Sequence, residues 1–341
     1  MRSLCRECIS LRSPPEPIIE SLPEPDQQPN NQEIYMTRKP LAATLLTVAS
    51  LLSMSSHAAD ATVSTRLAHT LRAVSAQQAA ETRAQQPEER VATVAAVAAV
   101  TPWTPHVSDT WQWQLTGTIN TGYNVKVYDI DLFDAPDAVI ATLHSQGNHV
   151  VCYFSAGSGE NWRPDYASFK AADLGNALDG WAGEKWLDTR STNVRNIMAA
   201  RLDKAKARGC DGVEPDNVDG YTNGPGFPLT ATTQLDYNRF LATAAHARGL
   251  KVALKNDVDQ VSALAASFDF AVNEQCNEYS ECGAYSAFTG ANKPVFNAEY
   301  KSKWHTSASA RATMCSKAKA QNLRTLVLPL ALDDSFRYSC D

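Results

Sequence analysis

The chain has 341 residues, and its 31 basic and 37 acidic side chains give a formal net charge of −6 at pH 7. This balance disfavours a nucleic-acid partner, because proteins that bind phosphate backbones present a basic face. It suits a cationic partner if the carboxylates cluster on one surface. The composition changes sharply along the chain, so its segments predict different structures.

The first residues do not resemble globular sequence. Residues 1–35 are rich in Pro, Glu, Gln and Asn and show no apolar period, which predicts a disordered segment. A basic start at residues 36–39, an apolar run at 41–54 and a small-residue cleavage site at 56–58 then form the pattern of a secretory signal peptide. We predict a signal peptide at residues 36–59. Translation then starts at Met36, and residues 1–35 result from a gene prediction that begins too far upstream. The alternative to a start at Met36 is a signal peptide whose N-terminal region, before the apolar run, is unusually long.

This signal predicts a secreted or periplasmic protein without stable membrane association after cleavage, because the apolar run is short for a spanning helix. An uncleaved signal anchor is the alternative. Residues 60–102 are rich in Ala, Gln and Glu, lack aromatic residues and Gly, and predict a linker or pro-segment. Every Trp lies at or beyond Trp103, so we predict one globular domain at residues 103–341.

Short β-rich runs and helical stretches alternate through this domain. The β-rich runs are residues 111–115, 126–131, 149–156, 212–216, 251–256, 270–274, 294–299 and 324–330. The helical stretches are residues 135–146, 192–208, 233–248, 258–267 and 307–321, and Gly follows the first three, as expected at helix C-termini. This rhythm predicts a (β/α)8 TIM-type barrel with an irregular first unit, because the first connection is short. A doubly wound open sheet is the alternative, but its dinucleotide fingerprint is absent.

Six cysteines fall within the predicted domain, and exported proteins commonly hold cysteines as disulfides. Their spacing does not match paired Cys or His metal ligands. We predict the pair Cys276–Cys282, which closes a short loop, and the pair Cys315–Cys340, which ties down the C-terminus. Cys152–Cys210 follows by elimination, with a buried free thiol at Cys152 as the alternative.

Acidic and polar side chains follow nearly every predicted strand. In a barrel, the carboxyl ends of the strands meet at one face, where functional residues gather. Glu214 and Asp216 are two residues apart, so both point to one face of a strand, and crowded carboxylates can provide one acid and one base. The pattern predicts the two-carboxylate chemistry that cleaves glycosidic bonds. The strand-end residues are Asp129, Asp131, 155–160, Glu214, Asp216, Asp219, Lys255, Asn256, Asp257, Asn273, Glu274, Glu299, Asp333 and Asp334.

Other chemistries fit the sequence less well. The Gly-rich run at residues 155–159 has the wrong spacing for a nucleophile elbow, and we interpret it as a turn that lets a ligand approach the backbone. The acid pairs at 129–131 and 214–216 lack the oxygen-rich spacing of a calcium loop. No His falls convincingly at a strand end. We therefore predict neither a metal nor a cofactor.

Five motifs occur in order along the predicted barrel. They are residues 111–115 (Trp-Gln-Trp-Gln-Leu), 128–131 (Tyr-Asp-Ile-Asp), 152–157 (Cys-Tyr-Phe-Ser-Ala-Gly), 212–221 (Gly212 to Tyr221) and 273–276 (Asn-Glu-Gln-Cys). Together they resemble glycoside hydrolase family 114, the endo-α-1,4-polygalactosaminidases. The resemblance covers residues 103–341 and implies a TIM-barrel catalytic domain acting on a cationic, galactosamine-rich polysaccharide.

The resemblance also implies catalytic residues. By this analogy Asp216 is the nucleophile and Glu274 the acid/base, if the enzyme is retaining. Glu214 stands where many relatives have Asp, so it could share or contest the role of Asp216. Glu299 is the last residue of another predicted strand, at a position where many other barrel glycosidases place a carboxylate.

Further residues are expected to bind substrate, and each has a structural alternative. The acids could be plain hydrogen-bonding groups, and the aromatic rings could be core rather than platforms for sugars. Lys255 either pairs with a catalytic carboxylate and shifts its pKa, or lies at the barrel rim with its ammonium group extended to solvent. The predicted substrate-binding set is Asp129, Asp131, Glu214, Tyr221, Lys255, Glu299, Trp113 and Tyr153. We expect a monomer, and the alternative function is a non-catalytic barrel that binds cationic exopolysaccharide.

Overall fold

The computed structural model describes residues 103–341. The predicted disordered segment (1–35), signal peptide (36–59) and linker (60–102) lie outside the described residues. Within the described part, no helix has the length and apolar character needed to cross a membrane.

Most strands of the described chain belong to one curled sheet. The strands are β1 (Trp111–Gln114), β2 (Val127–Asp131), β3 (His149–Ser155), β4 (Ser158–Glu160), β5 (Leu174–Ala177), β6 (Glu184–Leu187), β7 (Gly212–Asp216), β8 (Lys251–Lys255), β9 (Phe270–Glu274), β10 (Val295–Glu299), β11 (Arg324–Val327) and β12 (Tyr338–Ser339). The curled sheet has the order β1-β2-β3-β7-β8-β9-β10-β11-β12, and all neighbours are parallel except β12, which runs antiparallel to β11. Its eight parallel strands are the eight predicted from the sequence, with bounds shifted by a few residues.

The two ends of the curled sheet approach each other. Trp111 on β1 donates its Nε1–H to the carbonyl of Arg324 on β11 at 2.8 Å. Beyond these strands, the backbone N–H of Leu115 donates to the carbonyl of Leu332 at 3.0 Å. The architecture is the predicted TIM-type barrel.

Helices connect most of the parallel strands. The α-helices are α1 (Asp137–Ser145), α2 (Thr192–Arg208), α3 (Ala231–His246), α4 (Val261–Leu264), α5 (Cys276–Tyr279), α6 (Ser286–Thr289), α7 (Ser302–Thr306) and α8 (Ala308–Ala320). Short 3₁₀ turns occur at Tyr166–Ser168, Ala171–Asp173, Gly220–Thr222, Val258–Gln260 and Cys282–Tyr285. The connection from β1 to β2 has no helix, as predicted, and Gln114 organises it by bonding Thr116, Thr118 and Asn120.

An antiparallel sheet of three strands, in the order β4-β6-β5, is inserted between β3 and α2. It was not predicted, because its strands are three or four residues long and carry Gly and charged side chains. Buried Arg163, within the insertion, ion-pairs with Glu160 of β4 at 2.8 Å and with Asp131 of β2 at 2.6 Å. These ion pairs fix the insertion to the barrel.

The apolar residues form two packed clusters, one on each side of the barrel wall. Val151 and Phe270 contribute to the inner cluster, whereas Val150 and Ile140 contribute to the cluster between the strands and the helices. The alternation along β3 is the two-residue period of a strand. It decides which polar side chains at the strand ends enter the barrel.

All three predicted disulfides are present: Cys152–Cys210, Cys276–Cys282 and Cys315–Cys340. The first joins the outer face of β3 to the residues before β7. The second closes the loop after β9, and the third links α8 to the last residues of the chain. The alternative of a free thiol at Cys152 is therefore wrong.

Candidate active site

Strand periodicity brings the candidate catalytic side chains into the barrel mouth. On β9, Phe270 and Val272 belong to the inner cluster, so Glu274 at the strand end points the same way. On β8, Ala253 is inner and Lys255 follows two residues later. On β7, Val213 belongs to the outer cluster, so Glu214 and Asp216 point inward.

The ammonium group of Lys255 lies at the centre of the site. It is buried and lies 2.8 Å from Glu214 Oε1, 3.1 Å from Asp216 Oδ1 and 3.4 Å from Glu274 Oε2. Its Nζ also lies 4.7 Å from the ring centroid of Trp113, and this cation–π contact further stabilises the charge. Although burial alone opposes the charge, the Asp216, Glu214 and Glu274 carboxylates hold the pKa of Lys255 well above its usual range. Lys255 is therefore a fixed cation that gathers three carboxylates.

Asp216 is held in place by two hydrogen bonds and one ion pair. Tyr153 donates its hydroxyl to Oδ2 at 3.0 Å, and the backbone N–H of Asn217 donates to Oδ1 at 2.7 Å. Lys255 also contacts Oδ1. These contacts fix the position of the carboxylate, and the side chain is 17% exposed, so a ligand can reach it.

Glu274 is held by a different set of donors. Tyr300 donates its hydroxyl to Oε1 at 2.6 Å, and Asn256 donates its amide to Oε2 at 3.2 Å. The Asn256 side-chain oxygen accepts the backbone N–H of Glu274 at 2.9 Å, so one amide fixes both the backbone and the carboxylate. The Glu274 side chain is 27% exposed, more than that of Asp216.

The residue after each of these three strands has left-handed backbone geometry. Asn217, Asn256 and Gln275 follow β7, β8 and β9 with φ of 59°, 46° and 64°. Asn tolerates this region better than most residues, and such conformations concentrate at functional sites. Each turn ends its strand directly after a residue that contacts or carries a candidate catalytic carboxylate.

A buried carboxyl pair lies beneath Lys255. Asp129 on β2 is 1% exposed, and neither of its carboxylate oxygens has a hydrogen-bond donor among the described residues. Burial raises its pKa well above the ordinary value, and the negative charge of neighbouring Glu214 raises it further. Burial also raises the pKa of Glu214, whereas Lys255 opposes that shift. We interpret the two groups as sharing one proton, which makes Asp129 a hydrogen-bond donor to Glu214.

A cleft crosses the barrel mouth in two halves. One half, which we call the tryptophan pocket, has a volume of about 670 Å³ and contains Asp216, Lys255 and Glu274. Four tryptophans line it: Trp113, Trp162, Trp181 and Trp186. The other half, the acidic pocket, has a volume of about 1130 Å³ and is lined by Asp219, Asp257, Asp259, Glu274 and Glu281. Both halves share Glu274, Asn256 and Asp219, so they form one continuous cleft with the candidate catalytic residues at the junction.

The structure places the predicted substrate-binding acids in different environments. Asp131 lines the tryptophan pocket, but Arg163 binds both of its oxygens. Glu299 is fully buried, lines neither half of the cleft and accepts two hydrogen bonds from Asn277. Asp129 and Glu214 likewise lie below the cleft. These residues shape the charge and packing under the site.

The predicted aromatic residues reach the cleft. Trp113 and Tyr153 line the tryptophan pocket next to Lys255, and Tyr221 lines the acidic pocket. Trp162 and Trp181 were not among the predicted site residues; they are 51% and 53% exposed and line the tryptophan pocket. Exposed tryptophans are a common sugar-stacking surface, but the insertion that carries these two was not predicted, so their place at the cleft had no sequence signal.

Other contributing residues were also missed as site residues. Asn256 and Asp219 were recognised at strand ends but not selected, and Tyr300 was not among the predicted substrate-binding residues. Asn256 and Tyr300 fix Glu274, and Asp219 lines both halves of the cleft. Glu184 in the insertion is a further buried acid at the cleft, and burial raises its pKa to about 7. The sequence position of Glu184 gave no signal, since its strand was not predicted.

Comparison with known proteins decides the family. The model of glycoside hydrolase family GH114 matches residues 92–341. The chain belongs to family GH114. It is a glycoside hydrolase, as the five sequence motifs predicted. No match was found among curated proteins.

Solved structures agree with this assignment. This GH114 chain is similar to Ega3 of Aspergillus fumigatus, solved in complex with galactosamine, at 44% identity and a TM-score of 0.67. The match covers 70% of this chain and 97% of that structure. The glycoside hydrolase domain of PelA from Pseudomonas aeruginosa matches at 14% identity and a TM-score of 0.52, covering 67% of this chain and 97% of that domain. At so low an identity, the second likeness shows the fold alone.

Proposed function

We propose that this GH114 protein is an exported, monomeric enzyme that cuts α-1,4-linked, galactosamine-containing polysaccharide within the chain. Asp216 acts as nucleophile and Glu274 as acid/base in a retaining mechanism. One observation carries the proposal: Lys255 contacts both candidate catalytic carboxylates at the floor of an open cleft.

The spacing of the two carboxylates favours retention of configuration. Lys255 Nζ lies 3.1 Å from Asp216 Oδ1 and 3.4 Å from Glu274 Oε2. Those oxygens are therefore separated by at most the sum of these distances, about 6.5 Å. In inverting enzymes, about 6.5 Å is the smallest separation between the two carboxyl groups. A pair closer than this limit leaves too little room for the attacking water of a single displacement.

The hydrogen-bond environments distinguish the two roles. Asp216 accepts a backbone N–H and the Tyr153 hydroxyl beside the Lys255 cation, and these contacts hold the carboxylate in place for attack as a nucleophile. Glu274 is more exposed and lines both halves of the cleft, where a leaving sugar and then a water can reach it.

In the first step, Glu274 gives its proton to the glycosidic oxygen while Asp216 Oδ attacks the anomeric carbon. The bond to the leaving sugar breaks, and a glycosyl ester forms on Asp216. In the second step, ionised Glu274 takes a proton from water, which attacks the anomeric carbon and releases Asp216 as a carboxylate. Lys255 stabilises the carboxylate that departs, and the surrounding acids stabilise positive charge on the sugar.

The charge of the cleft supports a cationic substrate. The tryptophan pocket contains Lys255 as one cation besides eight acidic residues, and the acidic pocket is lined by five acids. Galactosamine units carry an ammonium group near neutral pH, so an acidic cleft attracts their polymer. The galactosamine bound to Ega3 agrees with this substrate class. A cleft that extends on both sides of the catalytic pair accommodates the interior of a chain rather than its end.

Export is supported by the cysteines. Three disulfides within residues 103–341 fit an oxidising compartment, where such bonds persist. The signal-peptide pattern starting at Met36 points the same way.

Release of reducing ends from purified α-1,4-galactosamine polymer tests the proposal. We expect activity in the wild type and a loss of at least about a thousandfold in kcat for both Asp216→Asn and Glu274→Gln, since each removes one half of the chemistry. Asp203→Asn removes an equal charge from the outer surface, where Asp203 is 67% exposed, and should retain wild-type activity.

Each contrary outcome has a clear meaning. Activity that survives in Asp216→Asn would move the nucleophile to Glu214. A wild type that binds the polymer without cutting it would identify a carbohydrate-binding barrel instead of an enzyme acting on this polymer. Circular dichroism and thermal melting of each variant would separate loss of chemistry from loss of fold.

A further inference from the structure

Asp129 is a buried carboxyl group that the proposed reaction does not use. It lies on β2, where Val127 belongs to the inner apolar cluster, so the side chain two residues later also enters the barrel. Asp129 is 1% exposed and lines neither half of the cleft. An ionised carboxylate at such a position is costly, because burial removes its hydration and protein groups must replace it.

The neighbouring strands supply no hydrogen-bond donor to this carboxyl group. Asp129 is in register with Trp113 of β1 and Val151 of β3, which both belong to the inner apolar cluster. Within the described chain, neither oxygen of Asp129 has a donor, and Oε2 of Glu214 lacks one as well. Two adjacent carboxyl groups without another donor can satisfy each other only if one of them carries a proton.

The contacts of the pair place this proton on Asp129. Burial raises the pKa of Asp129 well above its ordinary value, and the charge of Glu214 and the hydrogen bond between the two groups raise it further. Lys255 and Asp216 also face Asp129, and their charges act on its pKa in opposite directions. Burial raises the pKa of Glu214 to about 7, but Lys255, 2.8 Å from its Oε1, opposes that shift. Asp129 is therefore the neutral acid that donates to Glu214.

Glu214 links this neutral acid to the catalytic pair. Its Oε1 binds the ammonium group of Lys255, which is 2% exposed, so protein groups set the position of the cation. The same ammonium group lies 3.1 Å from Asp216 Oδ1 and 3.4 Å from Glu274 Oε2. Without a donor to its Oε2, Glu214 would have an unsatisfied buried oxygen and one contact fewer to hold its carboxylate against the cation.

We propose that Asp129 is a positioning residue of the hydrolysis, which acts as a neutral acid through Glu214 and Lys255. These contacts keep the ammonium group between the two catalytic carboxylates. The inference rests on the proposed function and assigns a residue outside the cleft to the same reaction. If Asp129 only filled space in the barrel, an apolar side chain would replace it, whereas an anion would be replaced by no neutral side chain.

The test replaces Asp129 in two ways and measures kcat and KM on purified α-1,4-galactosamine polymer. Asp129→Asn keeps a neutral hydrogen-bond donor of nearly the same size and should retain at least about a third of the wild-type kcat. Asp129→Val suits a strand but removes the donor, so we expect kcat to fall by about tenfold or more, while KM changes by less than about threefold. Thermal melting establishes that each variant is folded.

Infrared difference spectroscopy of the wild type against Asp129→Asn tests the proton itself and needs no substrate. Near neutral pH, the wild type should show the carbonyl stretch of a protonated carboxylic acid that the variant lacks. Asp203→Asn removes a carboxylate that is 67% exposed on the outer surface, so this control should leave the band and kcat unchanged.

The outcomes separate this inference from the proposed function. A folded Asp129→Val variant with the wild-type kcat would overturn the positioning role while leaving the hydrolase intact. Loss of activity in a folded Asp129→Asn variant, or absence of the acid band, would do the same, because an ionised Asp129 cannot donate. These two results decide the matter even if Asp129→Val fails to fold. A wild type that cuts no galactosamine polymer would overturn the proposed function, and with it the role of Asp129 in that reaction.

Discussion

At the scale of single residues, the lack of a side chain at Gly157 allows the close contact that positions the candidate nucleophile, Asp216. A Cβ placed on Gly157 would lie 1.6 Å from the backbone oxygen of Asn217. Asn217 in turn donates its backbone N–H to Asp216 and its amide to Ser155 Oγ at 3.0 Å. The Gly-rich run was expected to let a ligand approach the backbone, but the group that approaches Gly157 is the chain itself.

We expect Gly157→Ala to lower kcat by roughly a hundredfold, because the displaced Asn217 moves Asp216, and misplacement of about 1 Å has that cost. Overpacking should also lower the free energy of unfolding by about 1–3 kcal/mol. The matched control is Gly283→Ala, where an added Cβ meets nothing within 4 Å. Steady-state kinetics and urea unfolding measure both effects. A Gly157→Ala variant with the wild-type kcat would show that the turn does not position the site.

Residue types at strand ends allowed the central site to be predicted. Asp216, Glu274 and Lys255 were found because the two-residue period of a strand places them inside the barrel. The pairing of Asp131 with Arg163 was not foreseen, since Arg163 belongs to an insertion whose path the sequence does not reveal. Glu299 occupies a strand end too, yet Asn277 of α5, the short helix after β9, covers it.

At the scale of elements, the strands and helices that bury the most apolar surface were the ones that the sequence predicted best. The barrel strands are recognisable because their inner and outer faces each join a large apolar cluster. The long helix Thr192–Arg208 was predicted to the residue, and in the structure Ser191 caps its start and Gly209 its end. The strands of the insertion pair mainly with each other, so their short, polar sequences carry little periodic signal.

The insertion nevertheless shapes the active-site cleft. It carries Trp162 and Trp181 to the mouth and the buried acids Glu160 and Glu184 to its wall. Arg201 of α2 anchors the insertion by an ion pair with Asp165 at 2.8 Å, and it also donates to the carbonyl of Ser155, at the end of β3, at 2.6 Å. An element that sequence patterning misses therefore supplies one side of the substrate-binding surface.

At the scale of the whole molecule, the many buried carboxyl groups affect stability. Burial raises the pKa of Glu184 and of Asp257 to about 7, and that of Asp219 to about 6. A carboxyl group whose pKa is higher in the folded chain than in the unfolded chain, about 4, binds its proton more tightly when folded. Its contribution is full below the unfolded pKa and is lost as the pH rises through the folded pKa.

We therefore expect the free energy of unfolding to fall as the pH rises from about 4.5 to 7, by up to about 1.4 kcal/mol per pH unit for each such proton. Asp173, Asp188 and Asp211 have lowered pKa values, and their stabilising effect is already complete above about pH 4.5. Urea unfolding across this range measures the slope. Glu184→Gln removes one titrating group and should flatten it.

The result that would contradict this account of the buried acids is equally specific. Stability that stays constant or increases between pH 4.5 and 7 in the wild type would mean that these carboxyl groups are ionised in the folded protein. An unchanged slope in Glu184→Gln would exclude Glu184 as one of the proton-binding groups.

The central claim is that Asp216 and Glu274 act as a closely spaced nucleophile and acid/base, and product stereochemistry tests it most directly. Proton NMR during hydrolysis of α-1,4-galactosamine polymer reports the anomer released first, before mutarotation. The account predicts that the α-anomer appears first, because two successive displacements at the anomeric carbon restore its configuration. Initial release of the β-anomer would show direct attack by water and would contradict the role of Asp216 as nucleophile.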